Sequence, residues 1–140
     1  MADAKEIARQ LAEEPWKGNI DAVIDYVADD YVGHQPGAEA RGKAGFKEFV
    51  GTYLAGFPDG SIVVDDQIAE GDTVTTRWTA RGTNTGELMG MAPTGKEVTV
   101  SGITYSKISG GQVHESWVTW DTLGMLQQLG AVPQTAPTST

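Results

Sequence analysis

Apolar residues recur every three to four positions through the first third of the chain and every second position after it. Ala4 to Glu14 is rich in helix-forming residues, carries Ile7 and Leu11 on one stripe, and meets a stop at Pro15. Asn19 is a candidate cap for a second helix, in which Ile20, Val23, Ile24 and Val27 follow the i, i+3, i+4, i+7 spacing. Tyr31 to Pro36 reads as a short extended or turn-like segment, because a proline biases the residue before it away from helix. Phe46, Phe49, Val50, Tyr53, Leu54 and Phe57 then form one broad face of a third helix, ended by Pro58-Asp59-Gly60.

From Ser61 the period is two. Ser61 to Ala69 and Thr73 to Arg81 read as strands joined by a tight turn at Glu70-Gly71-Asp72. A loop dense in Gly, Thr and Met runs from Gly82 to Lys96. Glu97 to Ile108 is a third strand with Gly102 a candidate bulge, and Ser109-Gly110-Gly111 turns it into a fourth, Gln112 to Asp121. Thr122 to Leu129 is helix-like and apolar. Residues 133–140 have no apolar content to anchor them and are expected to be a disordered tail after one domain, 1–132. Helices first and hairpin-joined strands after them predict an α+β fold: three N-terminal helices on one face of a curved, mostly antiparallel sheet, with a hollow between the layers.

Composition narrows the partners. Of 140 residues, 19 are acidic and 10 are Lys or Arg, a formal charge of −9 that repels nucleic acid and anionic membrane alike. The absence of cysteine excludes disulfides, thiolate zinc sites and cysteine nucleophiles, and it suits a reducing cytoplasm. No apolar run has transmembrane length and the first residues lack a signal-peptide core, so a cytoplasmic protein is expected.

Two motifs fail on their chemistry. Gly90-Met91-Ala92-Pro93-Thr94-Gly95-Lys96 has the glycine and lysine spacing of a phosphate loop, but Glu97 follows where a Ser or Thr must hold magnesium, and a strand follows where a helix is needed. His114-Glu115 begins a zinc-binding H-E-x-x-H pattern, but Val118 replaces the second histidine. No metal and no cofactor is expected.

The stretch richest in chemistry is the last strand and its exit. In a regular strand Val113, Glu115, Trp117, Thr119 and Asp121 share a face, and Trp120 lies on the other. Glu115 and Asp121 are on the order of 20 Å apart along such a strand and cannot share a proton. Asp121 is either an acid/base group at the mouth of the hollow or the cap of the helix that follows. Glu115 is expected to pair with Lys107 or Arg77. His34 is either a hydrogen-bonding or proton-carrying group in the hollow or an exposed histidine of the segment between helices.

Several stretches together resemble the SnoaL-like polyketide cyclase family, within the NTF2-like, limonene-epoxide-hydrolase-like fold. They are Phe57-Pro58-Asp59, Ala69-Glu70-Gly71-Asp72, Arg81 to Gly86 (RGTNTG), Pro93-Thr94-Gly95-Lys96, Glu115-Ser116-Trp117, and Asp121 to Gly130 (DTLGMLQQLG). The resemblance implies a conical apolar pocket and a homodimer or higher oligomer packed through the sheet. It implies cofactor-free acid/base chemistry on a hydrophobic carbonyl or ester substrate, such as intramolecular aldol cyclisation of a polyketide ester. Asp121 matches the family's general acid/base, with His34 and Asn84 the candidates to steady the enolate oxygen. Trp78, Met89, Met91, Tyr105, Trp117 and Tyr53 are the candidate apolar walls. One departure is Asn84, where the family commonly has histidine; an amide donates a hydrogen bond but carries no proton at neutral pH. Two other readings fit the same fold. An epoxide hydrolase would need an Asp–Arg–Asp relay, to which Arg77 and Asp121 are the candidate contributors. A non-catalytic small-molecule-binding or dimerisation module would need none of this chemistry.

Overall fold

A computed structural model of the chain describes residues 3–132. Helix α1 (Ala4–Glu13) starts at Asp3, whose carboxylate accepts from the Glu6 N–H at 2.8 Å, and runs into a 3₁₀ turn, Glu14–Lys17, that carries Pro15 in its first turn. The expected second helix is much shorter. Helix α2 covers only Ile20–Val23, a 3₁₀ turn Ile24–Tyr26 follows, and Val27 already belongs to strand β1 (Val27–Gln35). Asn19 makes no side-chain cap bond; its amide turns back to Glu14 Oε1 at 2.9 Å. The run of β-branched residues, weak helix formers, breaks the helix early.

Strand β2 (Ala38–Arg41) folds back on β1, and helix α3 (Gly42–Gly56) crosses the sheet. The rest follows the alternating pattern: β3 (Ser61–Glu70), β4 (Thr73–Thr83), β5 (Glu97–Ser109) and β6 (Gln112–Trp120), with α4 (Thr122–Leu129) closing the end. The β5–β6 turn holds Gly110 and Gly111 at φ 60° and 77°, the left-handed pair that a two-residue hairpin requires.

The strands form one six-stranded sheet in the order β2-β1-β6-β5-β4-β3. Every pairing is antiparallel except β1 with β6, the crossover that brings the N-terminal half against the last strand. Glu13 accepts from the Val64 N–H at 2.8 Å and seats α1 over β3. Gln128 of α4 both accepts from the Thr99 N–H and donates to the Thr99 carbonyl, each at 2.9 Å, so a side-chain amide pairs with β5 as a further strand would.

Apolar side chains between helices and sheet fall into two clusters. One gathers Ile7, Ala8, Val27, Tyr31, Ala40, Val74, Ile108 and Val113; the other gathers Phe57, Leu88, Val98, Met125 and Leu129. Burying an aliphatic or aromatic side chain of this size contributes roughly 1.5–3 kcal/mol. Between the clusters the layers stand apart.

Candidate functional site

The gap between the clusters is a cavity of about 160 Å³. Leu11 of α1 and Phe46, Phe49 and Tyr53 of α3 form its roof, and the inward side chains of β4, β5 and β6 form its floor. Tyr53 meets the Trp120 ring edge-on at 5.6 Å and Phe49 at 5.4 Å, giving one rim an aromatic lining. Tyr31 packs edge-on against Phe46 at 6.1 Å. Burial pushes the phenols of Tyr31 and Tyr53 above the usual tyrosine range, so both stay protonated at neutral pH.

The floor is not wholly apolar. Thr76, Thr104, Ser106 and Ser116 face inward from three adjacent strands, and Ser106 stands directly opposite Ser116 in the ladder. Tyr31 reaches the same spot from β1, its Oη 2.7 Å from Ser116 Oγ. The Trp78 indole N–H donates to Thr104 Oγ1 at 2.9 Å. Among the described residues lining the cavity there is no Asp, Glu, His or Lys. Apart from Arg81 at the edge, its chemistry is that of neutral hydrogen bonds in an apolar surrounding.

The expected site residues divide by face. Trp78 and Tyr53 line the cavity. His34, Tyr105 and Trp117 are on the opposite, outer face of the sheet: the His34 ring stacks on Trp117 at 5.2 Å, and Tyr105 meets Trp117 edge-on at 5.6 Å. Tyr105 follows the regular alternation of β5, but for Trp117 the reason is a β-bulge. Lys107 pairs with Glu115 and Ile108 with Val113, so His114 is an extra residue that reverses the phase of β6. Val113 therefore faces inward while Glu115 and Trp117 face outward, and Ser116, Val118 and Trp120 point into the cavity. Glu115 does not pair with Lys107 or Arg77; it bonds His34 Nε2 at 2.7 Å, and Glu39 takes His34 Nδ1 at 3.2 Å.

Asp121 is exposed at the exit of β6, where its Oδ1 accepts from the Gly124 N–H at 2.8 Å and caps α4. It follows directly on cavity-lining Trp120 but is not itself a lining residue. Asn84 is buried outside the cavity, in the loop between β4 and β5, with all its polar atoms engaged by backbone and Thr94. Met91 packs against the second core cluster. Met89 projects into solvent from the tip of a short turn, 60 % exposed and at a left-handed φ of 47°. Arg77 does lie between two aspartates, Asp66 at 3.0 Å and Asp65 at 3.8 Å, but on the outer part of the sheet, where no epoxide in the cavity meets them. The floor hydroxyls were the residues that motif reasoning missed. Period-two alternation marks Thr76, Thr104 and Ser106 as one face; for Ser116 the bulge hides the phase.

A model of SnoaL-like polyketide cyclases matches residues 5–129. The chain belongs to this family. Among solved structures it is similar to IdmH, a candidate polyketide cyclase from Streptomyces antibioticus, at 31% identity and TM-score 0.80 over 92% of this chain and 99% of that one. A candidate polyketide cyclase from Acidithiobacillus ferrooxidans is 34% identical, with TM-score 0.78 over 93% and 96% of the two chains. AclR, a candidate hydroxylase from Streptomyces galilaeus, is 26% identical, with TM-score 0.83 over 98% of this chain and 87% of that one. Comparison with curated proteins finds no match. The SnoaL-like chain thus has the ketosteroid-isomerase-like, NTF2-like fold, and its family and cyclase relatives support a cyclase-type function. No helix among the described residues is long and apolar enough to cross a membrane.

Proposed function

We propose that the protein closes a ring in an uncharged, hydrophobic carbonyl substrate, such as a polyketide ester, bound in the helix–sheet cavity. The observation that carries this reading is the cavity itself: apolar walls, a floor of neutral hydroxyls and no ionised lining group other than Arg81 at its edge. Beyond the reach of Arg81 at the edge, a charged substrate group would lose its hydration there without compensation. A flat, oxygen-bearing one keeps its hydrogen bonds and gains apolar contact.

Ring closure of this kind needs a base, and we assign that part to Asp121. Its Oδ1 is committed to the cap, while Oδ2 accepts no hydrogen bond among the described residues. That oxygen takes a proton from a carbon flanked by carbonyls, and the carbanion attacks a second carbonyl carbon to form the new C–C bond. The carboxylic acid then returns the proton to the alkoxide. Flanking carbonyls acidify the carbon enough that no cofactor is required.

Asp121→Asn separates base from cap. Asparagine caps a helix about as well as aspartate, so the melting temperature should hardly move. Turnover of aromatic polyketide methyl esters should fall by roughly 100-fold or more, the usual scale of general acid/base catalysis. Unchanged turnover in the variant excludes Asp121 as the base. The lack of any acid/base group inside the cavity favours one second reading, a non-catalytic binding module; tight ligand binding indifferent to Asp121→Asn, with no product from either protein, selects it.

The outer face of the sheet supports a second copy as partner. Ile103, Tyr105 and Trp117 are 43 %, 41 % and 39 % exposed there, side by side on β5 and β6. The Arg77–Asp66 pair and the His34–Glu115 pair flank them, an apolar centre with a polar rim. Ile103→Lys, placed opposite Arg77 in the ladder, should convert a dimer to a monomer in sedimentation velocity. A monomeric wild type overturns the assignment.

A further inference from the structure

On the cavity floor, Tyr31, Ser106 and Ser116 are 5 %, 5 % and 4 % exposed, and all three line the cavity. Three hydroxyls carry three O–H donors. Among the described residues they share a single side-chain hydrogen bond, Tyr31 Oη to Ser116 Oγ at 2.7 Å, in which either oxygen can donate. Whichever way that bond runs, one O–H of the pair is left over, and Ser106 adds another. A buried hydroxyl without an acceptor is destabilising, and although Gln35, Thr76 and Thr104 also line the cavity, none of them bonds these three hydroxyls. What enters the cavity can supply that acceptor.

The backbone around Tyr31 is shaped for this arrangement. A Cβ at position 33 would run into the Tyr31 hydroxyl, so Gly33 provides the space in which that oxygen lies. Gly33 also pairs with Ser116 in the parallel β1–β6 ladder, which places the phenol over the serine. The His114 bulge completes the placement, because without it Ser116 would face outward. The pair thus depends on a glycine at position 33 and on the bulge at His114.

We propose that Tyr31 and Ser116 form a carbonyl-binding pair, donating the spare O–H of their shared hydrogen bond to a substrate carbonyl oxygen. The ligand class is an uncharged aromatic ketone or ester with its oxygen turned toward the β1–β6 junction. The phenol stays a donor because burial raises its pKa. Chained hydroxyls polarise one another, so the second O–H is a stronger donor than an isolated one. A donor fixed at the site of a developing enolate oxygen stabilises that charge without reorganising. This assignment rests on the cavity being the binding site, as proposed above, but not on Asp121 being the base.

The test uses methyl β-naphthyl ketone and its oxygen-free isostere β-isopropenylnaphthalene, titrated against wild type, Tyr31→Phe, Ser116→Ala and the double variant. Wild type should bind the ketone about three- to tenfold more tightly than the hydrocarbon, the worth of one net hydrogen bond. The infrared carbonyl stretch of the bound ketone should lie below its value in hexane. Each single variant should weaken both effects and the double variant should abolish them, while hydrocarbon affinity should not fall in any of them. Hydrocarbon binding without ketone preference in wild type overturns the pair alone, as does a red-shifted carbonyl that survives in the double variant. Failure of wild type to bind either probe removes the cavity reading and the pair with it. Should the double variant misfold, the single variants decide: intact hydrocarbon binding with an undiminished carbonyl shift in both rejects the proposal.

Discussion

Asn84→Ala should lower the unfolding free energy by about 3 kcal/mol, the sum expected when more than one buried backbone group loses its partner. The side chain is 2 % exposed. Its Nδ2 donates to the carbonyls of Gly56 at 3.0 Å and Gly86 at 2.9 Å, and its Oδ1 accepts from Thr94 N at 2.9 Å and Thr94 Oγ1 at 3.0 Å. That uses both donors and both lone pairs of an amide. Three segments meet there: the end of α3, the start of the β4–β5 loop and the turn that leads into β5. The Asn84 backbone adds two more bonds, N–H to the Lys96 carbonyl and carbonyl from the Gly95 N–H. Alanine leaves the Thr94 N–H and the Gly86 carbonyl orphaned, while Gly56 keeps only a 3.3 Å bond from Gly86. Asn84→His, which installs the residue usual in the family, should be almost as damaging, because a neutral imidazole has one donor and one acceptor for four bonds. Chemical denaturation of both variants is the measurement; a loss below about 1 kcal/mol in each would show that the loop relaxes around the gap. The amide has no donor left over for a substrate carbonyl.

Much of this fold could be read from periodicity, and the parts that could not have a common cause. Strands β3 to β5 and helix α3 keep a strict period, since each buries one face continuously, and their limits were found to within a few residues. The start of strand β1 carries a helix-like pattern because its register against β6 breaks between Val27 and Val32, which puts two buried residues and then two exposed ones in succession. Strand β2 is a four-residue edge with one buried side chain, too short to show a period. On β6 a single bulge at His114 reversed the expected face of every residue after it. Trp117 and Glu115 moved to the outside, and Ser116 moved into the cavity. Motif reading favours residues with proton-transfer or strong hydrogen-bonding chemistry, so it points to His34, Asn84 and Asp121. A cavity that works with neutral hydroxyls carries no such motif.

Gly102→Ala should be the most damaging single methyl in the sheet, costing about 1–3 kcal/mol by overpacking. The sequence makes Gly102 a candidate bulge, but it sits in register, with Trp78 across β4 and Trp120 across β6. Its missing side chain is explained by the indole. An added Cβ would strike Cζ2 and Cη2 of Trp78 and lie 2.8 Å from the Thr119 carbonyl oxygen. Neither neighbour yields without cost. The carbonyl belongs to the central strand β6, and the indole is held by its N–H bond to Thr104 Oγ1 at 2.9 Å. The methyl therefore forces the ring up into the cavity, and affinity for an apolar ligand should fall along with stability. Trp78→Phe, shortening that ring, should release the clash, so the double variant should be less destabilised than the sum of the singles by about 1 kcal/mol or more. Additivity of the two changes within about 0.5 kcal/mol would mean that Gly102 is not there to seat the indole. The coupling has a functional side, because Trp78 is both the partner of Gly102 and part of the floor. Ligand affinity that recovers in the double variant together with stability would show that this glycine sets the depth of the cavity.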